Sequence, residues 1–151
     1  MKISISYPPI ESSKGVPLLS QNRQFNWFNH PSYIYPMVPA YAATLLHQDG
    51  YEVTWDDGIA EGFTYPQYIE RIIKEQPDII AIETKTPIIK NYWRTVNHLK
   101  EVLPQTKVVL VGDHVTALPQ ESLRSSDVDY VLTGGDYDFL LLNLCRHLTR
   151  G

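Results

Sequence analysis

The sequence predicts an α/β fold, with a doubly wound, five-stranded parallel sheet and helices on both faces. Short strand patterns alternate with longer segments of helical period along the chain. The middle strand patterns, at 78–84 and 107–112, are almost continuously apolar, which is typical of strands covered on both faces. With 151 residues, 43% of them hydrophobic and 20% charged, the chain has the size and composition of one globular domain.

The order of the elements predicts the order of the strands. Strand patterns occur at 2–7, 51–56, 78–84, 107–112 and 129–134. Helical patterns occur at 39–48, 65–76 and 87–103, in a short stretch after Pro119, and at 137–148. The helix at 39–48 begins with proline, which favours a first turn, and the helix at 87–103 has an apolar stripe at helical spacing. Right-handed crossovers between these five βα units give the flavodoxin-like, or Rossmann-like, order 2-1-3-4-5.

One connection is unusually long. Residues 8–36 join the first strand to its helix, where about two to six residues normally suffice. Its aromatic and histidine side chains include Trp27, Phe28, His30, Tyr33 and Tyr35. It is either an ordered surface excursion or a lid over a binding site, and the sequence leaves both interpretations open.

Composition and charge exclude several classes of protein. The net charge of −4 leaves no basic surface for nucleic acid. No apolar run is long enough for a transmembrane helix, and the N-terminus lacks the apolar core of a signal peptide, so we expect a cytoplasmic protein. The single cysteine, Cys145, excludes an internal disulfide framework and a cluster of cysteine metal ligands.

Polar and glycine-rich segments follow the predicted strands, where ligands of open α/β sheets bind. These segments are Tyr7 to Pro9, Asp56 to Gly58, Thr84 to Thr86, Gly112 to Thr116 and Thr133 to Asp136. The loop after the first strand lacks the Gly-x-Gly-x-x-Gly of dinucleotide folds, and no Walker loop is present. The acidic residues of a phospho-receiver and the Gly-x-Ser-x-Gly elbow of a hydrolase are also missing. We therefore predict no catalytic residue and no metal site.

The remaining interpretation is a large, mostly neutral ligand held by hydroxyl groups, backbone amides and glycine. Gly134 and Gly135 would let the backbone approach such a ligand closely. Asp136 fits either a ligand contact or an ordinary first-turn residue of the following helix.

Five pieces of the sequence also occur in the order that one family shows. They are Pro8-Pro9, the helix within 35–53, PDIIAIETKT at 77–86, VVLVGDHVTALPQE at 108–121 and VDYVLTGGDYDFL at 128–140. In this order they resemble the N-terminal cobalamin (vitamin B12)-binding domain of B12-dependent radical SAM enzymes, a group that includes methyltransferases and Mg-protoporphyrin IX monomethyl ester cyclase-like proteins. The match covers essentially the whole chain.

The resemblance implies cobalamin as cofactor and assigns its contacts. Thr84 and Thr86 would face the corrin, and the segment from Gly134 to Asp136 would lie near the dimethylbenzimidazole tail. The complete set of implied cofactor-binding residues is Tyr7, Pro8, Pro9, Thr84, Thr86, Gly112, Asp113, His114, Thr116, Thr133, Gly134, Gly135 and Asp136. The Asp-x-His-x-x-Gly motif of classical B12 carriers is absent here, so the expectation is base-off cobalamin without a histidine from that motif.

The resemblance also implies a role within a larger enzyme. A chain with one cysteine cannot hold the Cys-x-x-x-Cys-x-x-Cys motif of a radical SAM cluster. Residues 1–151 are therefore expected to form a single cobalamin-binding domain, the N-terminal fragment of a longer protein. Such a module would position the corrinoid for a separate radical SAM domain, which needs a 4Fe-4S cluster and S-adenosylmethionine, and would be inert alone. The alternatives are a flavodoxin-like interaction domain that has lost its ligand, and a flavin- or nucleotide-binding enzyme.

Overall fold

A five-stranded parallel sheet forms the centre of the computed structural model, which describes residues 1–18, 25–30 and 35–150. The strands are β1 (Lys2–Tyr7), β2 (Val16–Leu18), β3 (Asn26–Phe28), β4 (Glu52–Asp57), β5 (Ile79–Thr84), β6 (Lys107–Gly112) and β7 (Tyr130–Val131). The sheet has the order β4-β1-β5-β6-β7, and every neighbouring pair is parallel. When its five strands are counted along the chain, this order is 2-1-3-4-5, so the predicted topology is confirmed.

Six α-helices are present in the described ranges: α1 (Met37–Gln48), α2 (Tyr65–Glu75), α3 (Ile89–Val102), α4 (Asp113–Ala117), α5 (Pro119–Ser125) and α6 (Tyr137–Arg150). A 3₁₀ turn at Thr86–Ile88 leads into α3. Helix α2 starts at a capping box, in which the Thr64 hydroxyl accepts from Gln67 N–H and the Gln67 side chain accepts from Thr64 N–H. Helix α1 begins two residues before the predicted start at Pro39.

The two faces of the sheet are covered by different helices, and successive side chains of each strand point to opposite faces. On one face, Ile5 and Tyr7 of β1 line a small space together with Ala42 of α1 and Leu141 of α6. On the other face, the Ser6 hydroxyl lies 2.6 Å from the Tyr68 hydroxyl of α2. The central strand β5 is buried along its whole length, which explains its almost continuous apolar pattern.

The last strand is shorter than the sequence predicts. A strand was expected over 129–134, but β7 covers only two residues. One further backbone bond follows, from Leu132 N–H to Leu110 C=O at 3.0 Å. The chain then turns at Gly134, whose φ of +110° is incompatible with an extended strand. The glycine pair thus ends the edge strand early and opens the loop before α6.

The long connection after β1 contains ordered structure. Its strands β2 and β3 form an antiparallel pair, and the Phe25 and Trp27 rings meet edge-on, with their centroids 5.2 Å apart. Trp27 also packs against the core, whereas Tyr35 is 70% exposed. Tyr33 lies outside the described residues, and the lid role of this segment stays a prediction. Within the described ranges, the length and apolarity of the helices fall short of what a membrane crossing needs.

Candidate functional site

An open cleft of about 420 Å³ lies at the carboxyl edge of the sheet, beside the first turns of α1 and α6. Five residues predicted as ligand contacts line it, and the structure brings them together from the β6–α4 junction and from the loop after β7: Gly112, Asp113, Thr116, Gly134 and Gly135. Six further lining residues were not predicted: Val38, Pro39, Glu83, Lys85, Ala117 and Tyr137. The cleft therefore lies where ligands bind in open α/β sheets.

The end of β6 requires glycine. Gly112 has a φ of +97°, in the region that side-chain-bearing residues rarely adopt. A Cβ atom at this position would lie 2.9 Å from the Thr84 carbonyl oxygen and 3.1 Å from Cγ of Glu83. The chain can therefore leave the strand sharply beside β5, and Asp113 directly begins the short helix α4.

The Thr116 hydroxyl connects helix α4 to the loop after β7. It donates to the Gly112 carbonyl at 2.7 Å and accepts from Gly134 N–H at 3.0 Å. Gly134 and Gly135 have open space where a Cβ atom would stand, with nothing within 4 Å in either case. A ligand can consequently approach the backbone at this glycine pair, while Thr116 holds the position of the pair.

A charged cluster crosses the floor of the cleft at the ends of β1, β5 and β6. Lys85 Nζ lies 2.5 Å from Asp113 Oδ2 and 3.8 Å from Glu83 Oε1. The Tyr7 hydroxyl donates to Glu83 Oε2 at 2.6 Å. Burial raises the pKa of Glu83, although the Tyr7 hydrogen bond and the Lys85 charge oppose this shift. Burial, followed by the nearby Glu83 charge, also raises the pKa of Tyr7.

Several predicted contact residues have structural partners of their own. Thr84 is buried, and its hydroxyl donates to the Val111 carbonyl at 2.7 Å. His114 is also buried, with its Nδ1 3.2 Å from the Thr86 hydroxyl and its ring edge-on to Trp93. His114 Nε2 lies 3.2 Å from a carboxylate oxygen of Glu121, in a geometry that is not a hydrogen bond. These side chains support the loops around the cleft, and their contact with a ligand stays a prediction.

Four further predicted residues are not among the described residues that line the cleft, and one of them, Pro9, instead lines a separate open pocket with Tyr65 and His98. Pro8 and Pro9 are buried after β1, and the Pro8 carbonyl accepts from the Tyr92 hydroxyl at 3.3 Å. Thr133 and Asp136 are exposed on either side of the glycine pair. A ligand role for these four residues remains a prediction.

A much smaller cavity of about 10 Å³ lies beneath the cleft, between the sheet and the helices α1 and α6. It is mostly apolar, and it shares Pro39, Glu83 and Tyr137 with the cleft above. Tyr137, at the start of α6, thus stands between the two spaces.

The arrangement is suited to binding rather than to nucleophilic catalysis. Cys145 is buried in α6, and burial raises the pKa of its thiol to about 12, which leaves it protonated and unreactive. Across 1–18, 25–30 and 35–150, no three His, Cys, Asp or Glu side chains come together as a metal site. The cleft instead offers an exposed glycine backbone, a hydroxyl group that hydrogen-bonds the neighbouring loop, and an ion pair between a carboxylate and an ammonium group.

A protein-family model described as "B12 binding domain" matches residues 29–139 of the chain. The anaerobic magnesium-protoporphyrin IX monomethyl ester cyclase of Rubrivivax gelatinosus is 30% identical over 117 residues, which is 77% of this chain and 21% of that protein. The cytidylyl-2-hydroxyethylphosphonate methyltransferase of Streptomyces wedmorensis is 28% identical over 148 residues, covering 82% of this chain and 27% of that protein. An uncharacterised methyltransferase of Pyrococcus horikoshii is 26% identical, and the match covers 77% of this chain and 25% of that one.

One solved structure is similar over 99% of this chain and 26% of its own length. It is the radical S-adenosylmethionine methyltransferase TsrM from Kitasatospora setae, solved with cobalamin and a 4Fe-4S cluster bound. The TM-score is 0.70 and the sequence identity is 13%, so the similarity establishes a shared fold. The chain spans roughly a quarter of the length of each of these similar proteins.

Proposed function

This chain belongs to the B12 binding domain family, as the order of its sequence motifs predicted, and from that premise we propose that it holds a cobalamin in the cleft at the carboxyl edge of its sheet. The observation that carries the proposal is the glycine pair Gly134-Gly135, whose backbone is open to the cleft. A corrin is a broad ring with amide side chains at its periphery, so it needs an open surface and backbone groups that it can approach. The residues present fit that requirement.

Each part of the cleft has a distinct task in this proposal. Gly134 and Gly135 bind the ligand through their backbone, and Thr116 keeps the pair in place. Tyr137 and Pro39 exclude water from the space beneath the ligand. Bound cobalamin supplies the group-transfer chemistry, and the protein supplies position and shielding. We expect that cobalamin would be held base-off and that no histidine from an Asp-x-His-x-x-Gly motif would take the place of its benzimidazole, since none of the five histidines stands in that motif.

The larger role that we propose is that of a module within a longer enzyme. The proteins that match this chain are named as methyltransferases and cyclases, and the chain spans roughly a quarter of their length. In this account a separate radical SAM domain, with its own 4Fe-4S cluster and S-adenosylmethionine, carries out catalysis while this chain positions the corrinoid. The isolated chain then has no catalytic activity.

The site is tested by filling the space above the glycine pair. A Cβ at Gly135 meets nothing within 4 Å, so Gly135→Val is compatible with the fold but projects into the cleft. We expect hydroxocobalamin to bind this variant about tenfold more weakly than the wild type, with unchanged circular dichroism. Gln105→Val, an exposed position in the turn before β6, is the matched control and should keep wild-type affinity. Equal affinity of the wild type and Gly135→Val would place the ligand elsewhere.

A further inference from the structure

We propose that Asp113 is a specificity-determining residue, which selects corrinoids with amide side chains over corrinoids that carry free carboxylates. The inference rests on the proposed function, because it assigns a preference to the same cleft. Three features carry it: which member of the Lys85–Asp113 pair is more exposed, how the pair is fixed, and the chemistry of the corrin periphery.

The ion pair presents its negative member to the cleft. Lys85 Nζ and Asp113 Oδ2 are 2.5 Å apart, and both residues line the cleft. Only 7% of the Lys85 side chain is exposed, whereas 54% of the Asp113 side chain is exposed. Because the Lys85 side chain is buried and the Asp113 side chain is not, a ligand in the cleft meets Asp113 first.

The carboxylate of Asp113 is held in a defined place. Asp113 is the first residue of α4 and follows Gly112, whose conformation is fixed by its close approach to Thr84. Lys85 in turn lies near Glu83, which accepts from Tyr7. Within the described part of the chain, the hydrogen bonding of the Asp113 side chain is confined to Lys85 through Oδ2. The Oδ1 atom is thus available to accept from a ligand.

Such a carboxylate distinguishes an amide from an acid. An amide –NH₂ group donates to a carboxylate, and hydrogen bonds to charged acceptors are stronger than neutral ones. A ligand carboxylate at the same place has no proton to donate at neutral pH and is repelled by the like charge. The side chains at the corrin periphery of cobalamin are amides, and hydrolysis of one of them yields a cobalamin monocarboxylic acid. The cleft should therefore favour the fully amidated form.

The opposite preference would follow if Lys85 were the group that contacts the ligand. An ammonium group attracts carboxylates, so the acid would then bind more tightly than the amide. The burial of Lys85 and its pairing with Asp113 argue against this arrangement. The two arrangements predict affinity differences of opposite sign.

The test compares the dissociation constants of hydroxocobalamin and of its three propionamide-derived monocarboxylic acids, measured by visible titration at pH 7.5. We expect the wild-type chain to bind at least one acid about tenfold more weakly than hydroxocobalamin. In Asp113→Asn that ratio should fall below about threefold, since the asparagine amide can both donate and accept. Asp127→Asn, an exposed carboxylate before β7 at the opposite edge of the sheet, should keep the wild-type ratio.

Three outcomes would overturn the inference. Equal or tighter binding of all three acids by the wild type contradicts it without any variant. An unchanged ratio of the dissociation constants in a folded Asp113→Asn variant shows that another group distinguishes the acids from hydroxocobalamin. If that variant does not fold, the double variant Lys85→Met/Asp113→Asn, which removes both charges of the pair, is used for the same comparison. A wild type that binds none of the four corrinoids refutes the proposed function itself, which separates the two failures.

Discussion

Glu83 is a carboxyl group whose protonation should affect stability, because it is buried at the end of the central strand β5. Burial raises its pKa above the ordinary value, while Tyr7 and Lys85 partly oppose the shift. A carboxyl with a raised folded-state pKa binds its proton more tightly in the folded protein. Its contribution to stability is therefore present at low pH and is lost as the pH rises from about 4.3, the ordinary glutamate pKa, through the folded-state value.

Glu83→Gln removes this titration and keeps an oxygen that can accept from Tyr7. We expect the free energy of unfolding of the variant, relative to the wild type, to increase as the pH rises from 4 to 8. Urea unfolding at several pH values measures this difference. Other titrating groups are common to both proteins, so their effects cancel in the difference. A constant difference across the pH range would show that Glu83 has the same pKa folded and unfolded.

The alternation of side chains at the end of β5 explains why the sequence alone did not identify Glu83 and Lys85 as residues that line the cleft. Residues 83 to 86 are Glu-Thr-Lys-Thr, and period-two alternation sends Thr84 to the opposite face from Glu83 and Lys85. The sequence shows the alternation but not which face adjoins the cleft. The threonines were predicted as contacts on the basis of the resemblance, whereas the structure lines the cleft with Glu83 and Lys85. Thr84 instead donates to the Val111 carbonyl.

Between elements, the Thr116 hydroxyl links α4 to the loop after β7. Thr116→Val keeps the shape of the side chain and removes both hydrogen bonds. We expect it to lower the free energy of unfolding by about 1 kcal/mol. We also expect hydroxocobalamin affinity to fall about tenfold, because Gly134 and Gly135 lose their support. Denaturant unfolding and a visible titration measure the two effects.

Two controls separate this link from an ordinary helix hydrogen bond. Thr116→Ser keeps the hydroxyl and should restore most of the affinity. Thr44 donates to the Ala40 carbonyl at 2.9 Å, the same i−4 bond, and within the described residues its hydroxyl bonds to no second loop. Thr44→Val should therefore leave hydroxocobalamin affinity unchanged. If Thr116→Val also bound normally, the glycine pair would not depend on this hydroxyl.

Helices and strands differ in how well the sequence predicts them, because some carry local signals and others depend on neighbouring elements. Helix α2 carries its own start signal in Thr64 and Gln67, and its apolar face has a clear period. Helix α4 has only five residues, and its start depends on the positive φ of Gly112, which depends in turn on the neighbouring strand. Strand β7 ends early because the chain turns at Gly134. The sequence pattern alone does not show that this glycine adopts a positive φ.

For the whole molecule, the order of elements was enough to predict the sheet. Alternating βα units and right-handed crossovers allow few arrangements, and the observed order is one of them. The family was also predictable, because five motifs occur in the right order and the family model matches residues 29–139. The lining of the cleft could be identified only from the structure, since it brings together Pro39, Lys85 and Gly135, which are far apart in the sequence. Contacts between such distant positions leave no local pattern.

The central claim is that this chain by itself holds one cobalamin in its cleft. Gel filtration of the chain after incubation with hydroxocobalamin, with a visible spectrum of the protein peak, tests it most directly. We expect about one cobalamin per chain to elute with the protein, with a spectrum shifted toward the base-off form. A colourless protein peak from a folded chain would contradict the claim and favour the alternative, an interaction domain that keeps the fold without the ligand.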